Sequence, residues 1–149
     1  MIAVVQRVSR AAVSVEAEDY RAEISPGLCV LLGVETGDGA EQAQWMAGKL
    51  ARLRIFRDEN DKINRSVQDI GGEMLVISQF TLAGDCTQGN RPSFITAARP
   101  EEGQRWYEDV CRRLREEHKL PVKTGIFGAM MEVEIINDGP VTLIVRSAT

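Results

Sequence analysis

What this chain has little of narrows its chemistry before any motif is read. There is one histidine, His118, among 149 residues, so a Ser-His-Asp relay would have to run through it. It sits in Arg115-Glu116-Glu117-His118-Lys119, the end of a helix-like stretch, where the helix C-terminal dipole favours it for structural reasons. The three cysteines, Cys29, Cys86 and Cys111, are scattered and form no C-x-x-C pair. That argues against a disulfide framework and a zinc site, and it fits a reducing compartment. Asp58, Glu59 and Asp61 read as a solvated loop rather than a metal cage, so no metal or cofactor is expected. Basic charge is not in excess: the net charge is -4, which speaks against a protein that grips nucleic acid along its whole surface. No apolar run approaches membrane-spanning length, and Met1-Ile2-Ala3-Val4-Val5 carries no charged n-region, so a soluble, cytoplasmic protein is expected.

What is present suits one domain over residues 1–149. A chain 44% hydrophobic is long enough to bury one core. Ile2, Val4 and Val8 alternate with more polar neighbours, and Val13 and Val15 alternate again after Ser9-Arg10, which predicts an N-terminal hairpin. Leu28 to Val34 reads as a buried strand. Asp38 is a plausible N-cap for a helix carried by Ala43, Met46, Leu50 and Leu53 and ending near Phe56. Residues 57–72 are polar and turn-rich, and Met74-Leu75-Val76-Ile77 is a second buried strand. Pro100 opens another helix, carried by Tyr107, Val110 and Leu114 and stopped before Pro121. Met131, Val133 and Ile135 alternate, and Leu143 and Val145 follow a turn at Gly139-Pro140. The expected fold is α+β, with a mainly antiparallel, partly closed, barrel-like sheet and two main helices.

Two segments do not look chosen for packing. Ser78-Gln79-Phe80-Thr81-Leu82 places hydroxyl, amide and backbone N–H groups at a strand end. It reads either as a strand closed by local side-chain bonds or as the parts of an oxyanion hole. Ser78 or Thr81 as a nucleophile has no visible base, and an unactivated hydroxyl is weak. Asn137-Asp138-Gly139-Pro140-Val141-Thr142 carries an Asp-Gly hairpin signal, but the proline directly after it lacks the N–H that a ladder needs. A cis Gly-Pro bond would aim carbonyls into a pocket, although sequence statistics alone favour trans.

These two segments, together with Gly89-Asn90-Arg91-Pro92-Ser93-Phe94, Thr124-Gly125-Ile126-Phe127-Gly128-Ala129 and Val5-Gln6-Arg7-Val8, occur in the order and spacing of the D-aminoacyl-tRNA deacylases. The chain resembles that family over essentially its full length. The resemblance implies hydrolysis of the ester between a D-amino acid and the 3′-terminal adenosine of tRNA. It also implies a homodimer with active sites at the subunit interface, in which each subunit lends its Gly-Pro motif to the other's pocket. On that reading Gly139 and Pro140, in cis form, are the chiral selector and Arg7 holds their orientation. Ser78 and Gln79 line the pocket, the Phe80 N–H faces the developing oxyanion, Thr81 matches a threonine once favoured as nucleophile, and Phe127 and Met131 lie near the adenine.

With no base near Thr81, hydrolysis assisted by the ribose 2′-hydroxyl is expected, with selection by exclusion of L side chains and some action on glycyl-tRNA. Lys49, Arg52, Arg54, Arg57 and Arg91 are candidate phosphate contacts or simply a solvated face. Gln88 replaces a lysine frequent in the family. The alternatives are a non-catalytic module of the same fold that binds nucleic-acid ends, and a sister enzyme with a trans Gly-Pro that removes L-alanine from non-cognate tRNA.

Overall fold

The arrangement of the sheet follows from one long strand that serves three partners. A computed structural model describes residues 1–148. Strand β1 (Ile2–Val15) pairs antiparallel with β3 (Gly27–Gly33) through its first half and with β2 (Tyr20–Ile24) through its second. Along its other edge it pairs antiparallel with β8 (Glu132–Arg146). On the far side of β3 lie β6 (Glu73–Ser78) and β7 (Val122–Thr124), both parallel. A small hairpin of β4 (Phe56–Arg57) and β5 (Ile63–Arg65) stands apart. The Tyr20 hydroxyl donates to the Thr124 carbonyl at 2.6 Å and Lys123 Nζ to the Glu23 carbonyl at 2.7 Å. These bonds draw β2 toward β7, so the sheet curls almost into a barrel.

Helices α1 (Ala40–Arg52) and α2 (Pro100–Glu116) cover one face. Met46 and Leu50 of α1, with Tyr107, Val110 and Leu114 of α2, pack on Val5, Leu28, Val30, Met74 and Val76. The alternate residues Cys29, Leu75 and Ile77 fill the inside of the curl with Val8, Ala11, Val13 and Ile24. Strands covered on both faces need continuous apolar runs, which is why β3 and β6 show no polar alternation. Burial pushes the thiols of Cys29 and Cys111 up, to about 12 and about 11, so both behave as small apolar groups.

The expected α+β fold with two helices is present, and four local features differ from the sequence reading. β1 does not turn at Ser9-Arg10. It runs through, and the reversal falls at the 3-10 turn Glu16–Glu18, with Asp19 in the left-handed region at φ 47°. The interrupted alternation marks the point where β1 exchanges β3 for β2 and where its register against β8 shifts. Gly39 rather than Asp38 is the N-cap of α1, because the Asp38 carboxylate accepts the Glu35 N–H at 2.8 Å while Gln42 Oε1 accepts the Gly39 N–H at 2.9 Å. α1 stops at Arg52, not near Phe56, and the Ile55 carbonyl is captured by Arg7. Finally, Gly139-Pro140 is not a hairpin turn. β8 continues past it, and Asp138, Gly139, Pro140 and Val141 together oppose Arg7 alone, between the pairs Val8–Asn137 and Gln6–Thr142.

Candidate active site

β6 ends at Ser78 and delivers the polar pentapeptide to the surface. The Gln79 N–H donates to the Leu32 carbonyl at 2.8 Å, which anchors the turn that follows to β3. Residues Phe80–Ala83 form one 3-10 turn, closed by Leu82 N–H to the Gln79 carbonyl and Gly84 N–H to the Thr81 carbonyl. The first N–H groups of such a turn have no partner inside it, and those of Phe80 and Thr81 find none elsewhere among the described residues. The Ser78 hydroxyl is likewise free of hydrogen bonds among the described residues. Thr81 Oγ1 accepts from Gln79 Nε2, so its hydroxyl is held by an amide rather than by a base.

Ser78, Gln79 and Phe80 border a cavity of about 650 Å³, with Thr81 just outside it. Ser78, Gln79 and Phe80 form one wall, the first turns of α2 at Pro100, Gly103 and Tyr107 a second, and the segment from Phe127 to Met131 a third. Phe80 is 58% exposed at the mouth and meets Phe94 edge-on at 5.5 Å. Phe127 leans on Tyr107 with ring centroids 5.9 Å apart. Met131 is admitted by Gly125, where a Cβ would lie 2.4 Å from its sulfur. Among the residues that line this space Tyr107 is the only ionisable one. Burial pushes its hydroxyl well above its ordinary value, and it donates to the Val76 carbonyl at 2.7 Å. The cavity therefore holds hydrogen-bond donors and an apolar lining but no side chain that titrates near neutrality.

The remaining expected site residues stand elsewhere. Thr81 is exposed and does not line the cavity, and neither do Arg7, Gly139 or Pro140. Those last three form a unit of their own. Arg7, only 3% exposed, donates from Nε to the Asp138 carbonyl at 3.0 Å and from Nη1 to the Ile55 carbonyl at 2.8 Å. The Gly139–Pro140 bond is cis, and Gly139 has φ 133°, a region that side chains avoid. A Cβ there would lie 2.9 Å from the Val141 nitrogen and 3.1 Å from Arg7 Nη2. The motif is a bulge pressed outward from β8 and exposed at its tip. His118 is half-buried beyond the end of α2 and belongs to neither group.

Sequence reasoning missed the α2 wall. Gly103 and Tyr107 are four residues apart and share a helix face, and a glycine beside an aromatic on an otherwise apolar stripe was the signal for a space left open there.

A family model described as D-Tyr-tRNA(Tyr) deacylase matches residues 4–146. A D-aminoacyl-tRNA deacylase of Heliobacterium modesticaldum is 57% identical over 146 residues, 98% of this chain and 96% of that one. Another, of Chloroherpeton thalassium, is 50% identical over 149 residues, 100% and 97% of the two chains. Among solved structures, the c-Myc DNA Unwinding Element Binding Protein superposes with a TM-score of 0.90 at 41% identity over 100% of both chains. A probable eukaryotic D-amino acid tRNA deacylase shares the fold, with a TM-score of 0.80 at 19% identity over 97% of both.

The chain belongs to the D-Tyr-tRNA(Tyr) deacylase family. It is an ester hydrolase of aminoacyl-tRNA, and its activity is that of a D-aminoacyl-tRNA deacylase.

Proposed function

We propose that this chain performs chiral proofreading in the cytoplasm, as a homodimer, with catalysis assisted by the substrate. The observation that carries this reading is the character of the cavity: open N–H groups at Phe80 and Thr81 beside a lining whose one ionisable group, Tyr107, stays protonated. Water adds to the ester carbonyl carbon of the D-aminoacyl group. The negative oxygen of the tetrahedral intermediate is held by the Phe80 N–H, with Ser78 and Gln79 orienting the substrate. The neighbouring ribose 2′-hydroxyl relays the water's proton to the departing 3′-oxygen, so the products are free D-amino acid and tRNA. Fixing these partners in place supplies much of the acceleration. The terminal adenine lies against Phe127 and Met131.

Selection requires main chain facing the substrate's Cα, and Gly139-Pro140 is the segment suited to it; the carbonyls of that main chain also accept from the substrate's ammonium group, so the motif serves turnover as well as selection. Because neither residue borders the cavity of its own chain, the motif acts in a second copy. The edge of β8 turned away from β1 has no strand partner among the described residues, and Ile136 and Ile144 of β8 are exposed; this favours such pairing, since an unpaired strand edge is a template for another chain. Arg7 positions the motif. Exclusion of L side chains makes no demand on the D side chain, so glycine, with none to exclude, is also removed. Lys49, Arg52, Arg54, Arg57 and Arg91 are exposed and are available to tRNA phosphates.

The reading is tested with matched D-tyrosyl-tRNA, L-tyrosyl-tRNA and glycyl-tRNA. Loss of the D and glycyl esters with the L ester at background is the expected result. An untouched glycyl ester would contradict pure exclusion, and loss of the L ester would remove Gly139-Pro140 as selector. A second reading, binding of nucleic-acid ends without turnover, is favoured by the DNA-binding name of one solved relative. The hydrolase names of relatives at higher identity outweigh it, and failure to cleave any of the three esters would restore it.

Two further results follow from the cavity. Thr81→Ala is expected to keep turnover within about tenfold of the parent, the scale of one positioning hydrogen bond; abolished single-turnover hydrolysis by an intact dimer would make Thr81 a nucleophile after all. The rate should also show no protein inflection between about pH 6 and 9. Tyr107 has its titration moved upward by burial, so its hydroxyl remains protonated throughout that window. A bell-shaped single-turnover profile would mean that an acid–base pair takes part.

A further inference from the structure

A second cavity, of about 480 Å³, lies between α2 and residues 124–127. It borders the first, because Tyr107 and Phe127 line both. Its character is different. One edge of α2 lines it with Gln104, Glu108, Cys111 and Arg115, so an aromatic wall is opposed by a carboxylate, an amide and a guanidinium. Gln104 Nε2 donates to Glu108 Oε1 at 3.0 Å, and the other carboxylate oxygen accepts nothing among the described residues. Arg115 spends Nε and Nη2 on the Val122 carbonyl, at 3.2 and 2.8 Å, which fixes the guanidinium at the rim and leaves Nη1 unpaired among the described residues. The N–H groups of Ile126 and Phe127 also lack partners among the described residues.

A flat π-surface, an exposed carboxylate acceptor and a fixed cation are the groups that recognise a base with an exocyclic amine and its phosphate. A carboxylate accepts from the N4 amine of cytosine, the ring stacks on an aromatic side chain, and a guanidinium pairs with phosphate oxygens. Every mature tRNA carries cytidine immediately before its terminal adenosine. We propose that this second cavity binds that penultimate cytidine, its base stacked on Phe127 and its amine donated to Glu108, with Arg115 turned toward the linking phosphate. This rests on the placement of the terminal adenine beside Phe127 in the first cavity. Phe127 then separates two successive bases, and the acidic chain needs no broad basic surface to hold the strand in register.

The test uses minimal substrates: the D-tyrosyl esters of adenosine, of the dinucleotide CpA and of UpA. The expected kcat/KM for the CpA ester exceeds that for the adenosine ester by about tenfold, mostly through KM. UpA, with a carbonyl where cytosine has its amine, should gain much less. In Glu108→Gln the carboxamide donates to uracil O4, so the CpA-to-UpA preference should shrink or invert. A residue that merely supported the fold would not exchange one base for the other. Equal kcat/KM for all three esters, or a CpA preference that Glu108→Gln leaves intact, would overturn the subsite while deacylation stood. Hydrolysis of none of them, nor of full D-tyrosyl-tRNA, would overturn the functional reading and the subsite with it.

Discussion

Arg7→Ala is expected to lose about 3 kcal/mol of stability and to slow deacylation of D-tyrosyl-tRNA by about a hundredfold in the protein that remains folded. Arg7 is a buried cation with no buried carboxylate of its own. Its nearest acidic group, Asp138, is largely exposed with a carboxylate oxygen 3.5 Å away. What holds the guanidinium is a pair of carbonyls, Asp138 O on β8 and Ile55 O beyond the end of α1. Truncation to alanine leaves both acceptors without their donor and opens a void between them, and an orphaned buried acceptor is costly. The bulge of β8 that carries Gly139 and Pro140 then loses its only side-chain anchor among the described residues, so the motif no longer keeps one position. A melt followed by circular dichroism should show a drop of roughly 10 °C, and single-turnover kinetics well below the new midpoint should show the rate loss separately. Arg7→Lys keeps the charge but not the planar fork, so one ammonium cannot serve both carbonyls equally; it is expected to fall between. A variant Arg7→Ala with unchanged melting and unchanged rate would mean that the bulge is held by the strand pairing alone.

The legible part of this molecule is the part governed by local pattern. The runs at Leu28 and Met74 could be read as buried strands because both sheet faces are covered, and Pro100 could be read as a helix start because the missing N–H costs nothing there. The errors share a cause. Ser9-Arg10 and Gly139-Pro140 break the alternation of their strands, and a break in alternation has the same sequence signature whether the chain reverses or bulges. Tertiary pairing decides between the two: β1 and β8 run along each other through both breaks, and the irregularities coincide around Arg7. The end of α1 was misplaced for a related reason, since nothing local to Leu53 or Ile55 reports that a guanidinium from β1 is waiting for a carbonyl.

Of the candidate site, the Ser78 pentapeptide and Phe127 were visible as motifs, and the structure brings Ser78, Gln79 and Phe80 together with Phe127 and Met131 while leaving Thr81 outside the cavity. Tyr107 was not visible as a site residue, because an aromatic facing an empty space on a helix carries the same pattern as one facing a core; the glycine one turn before it, Gly103, is the one local trace of the opening.

Two inactive variants mixed together should recover activity that neither has alone. Gly139→Ala forces a side chain into a backbone conformation at φ 133° and against the Val141 nitrogen at 2.9 Å, so the bulge must deform and the selector is lost. Gly103→Leu acts at the other half of the site. The first added carbon fits, at 3.5 Å from Phe127 Cζ, but the branched end must either occupy the cavity or displace Phe127. Each homodimer is expected to lose activity by about a hundredfold or more. If the motif of one chain completes the cavity of the other, a heterodimer contains one site built from two sound halves and one built from two damaged halves. After unfolding and refolding of an equal mixture, about half the dimers are mixed, so roughly a quarter of all sites are restored. Recovery to about that level on D-tyrosyl-tRNA, with L-tyrosyl-tRNA still refused, is the result expected of a site shared across a two-fold axis. No recovery, from a mixture in which mass spectrometry shows heterodimers, would place selector and cavity within one chain. Recovery of hydrolysis without chiral discrimination would separate the two functions and assign selection to some group other than Gly139-Pro140.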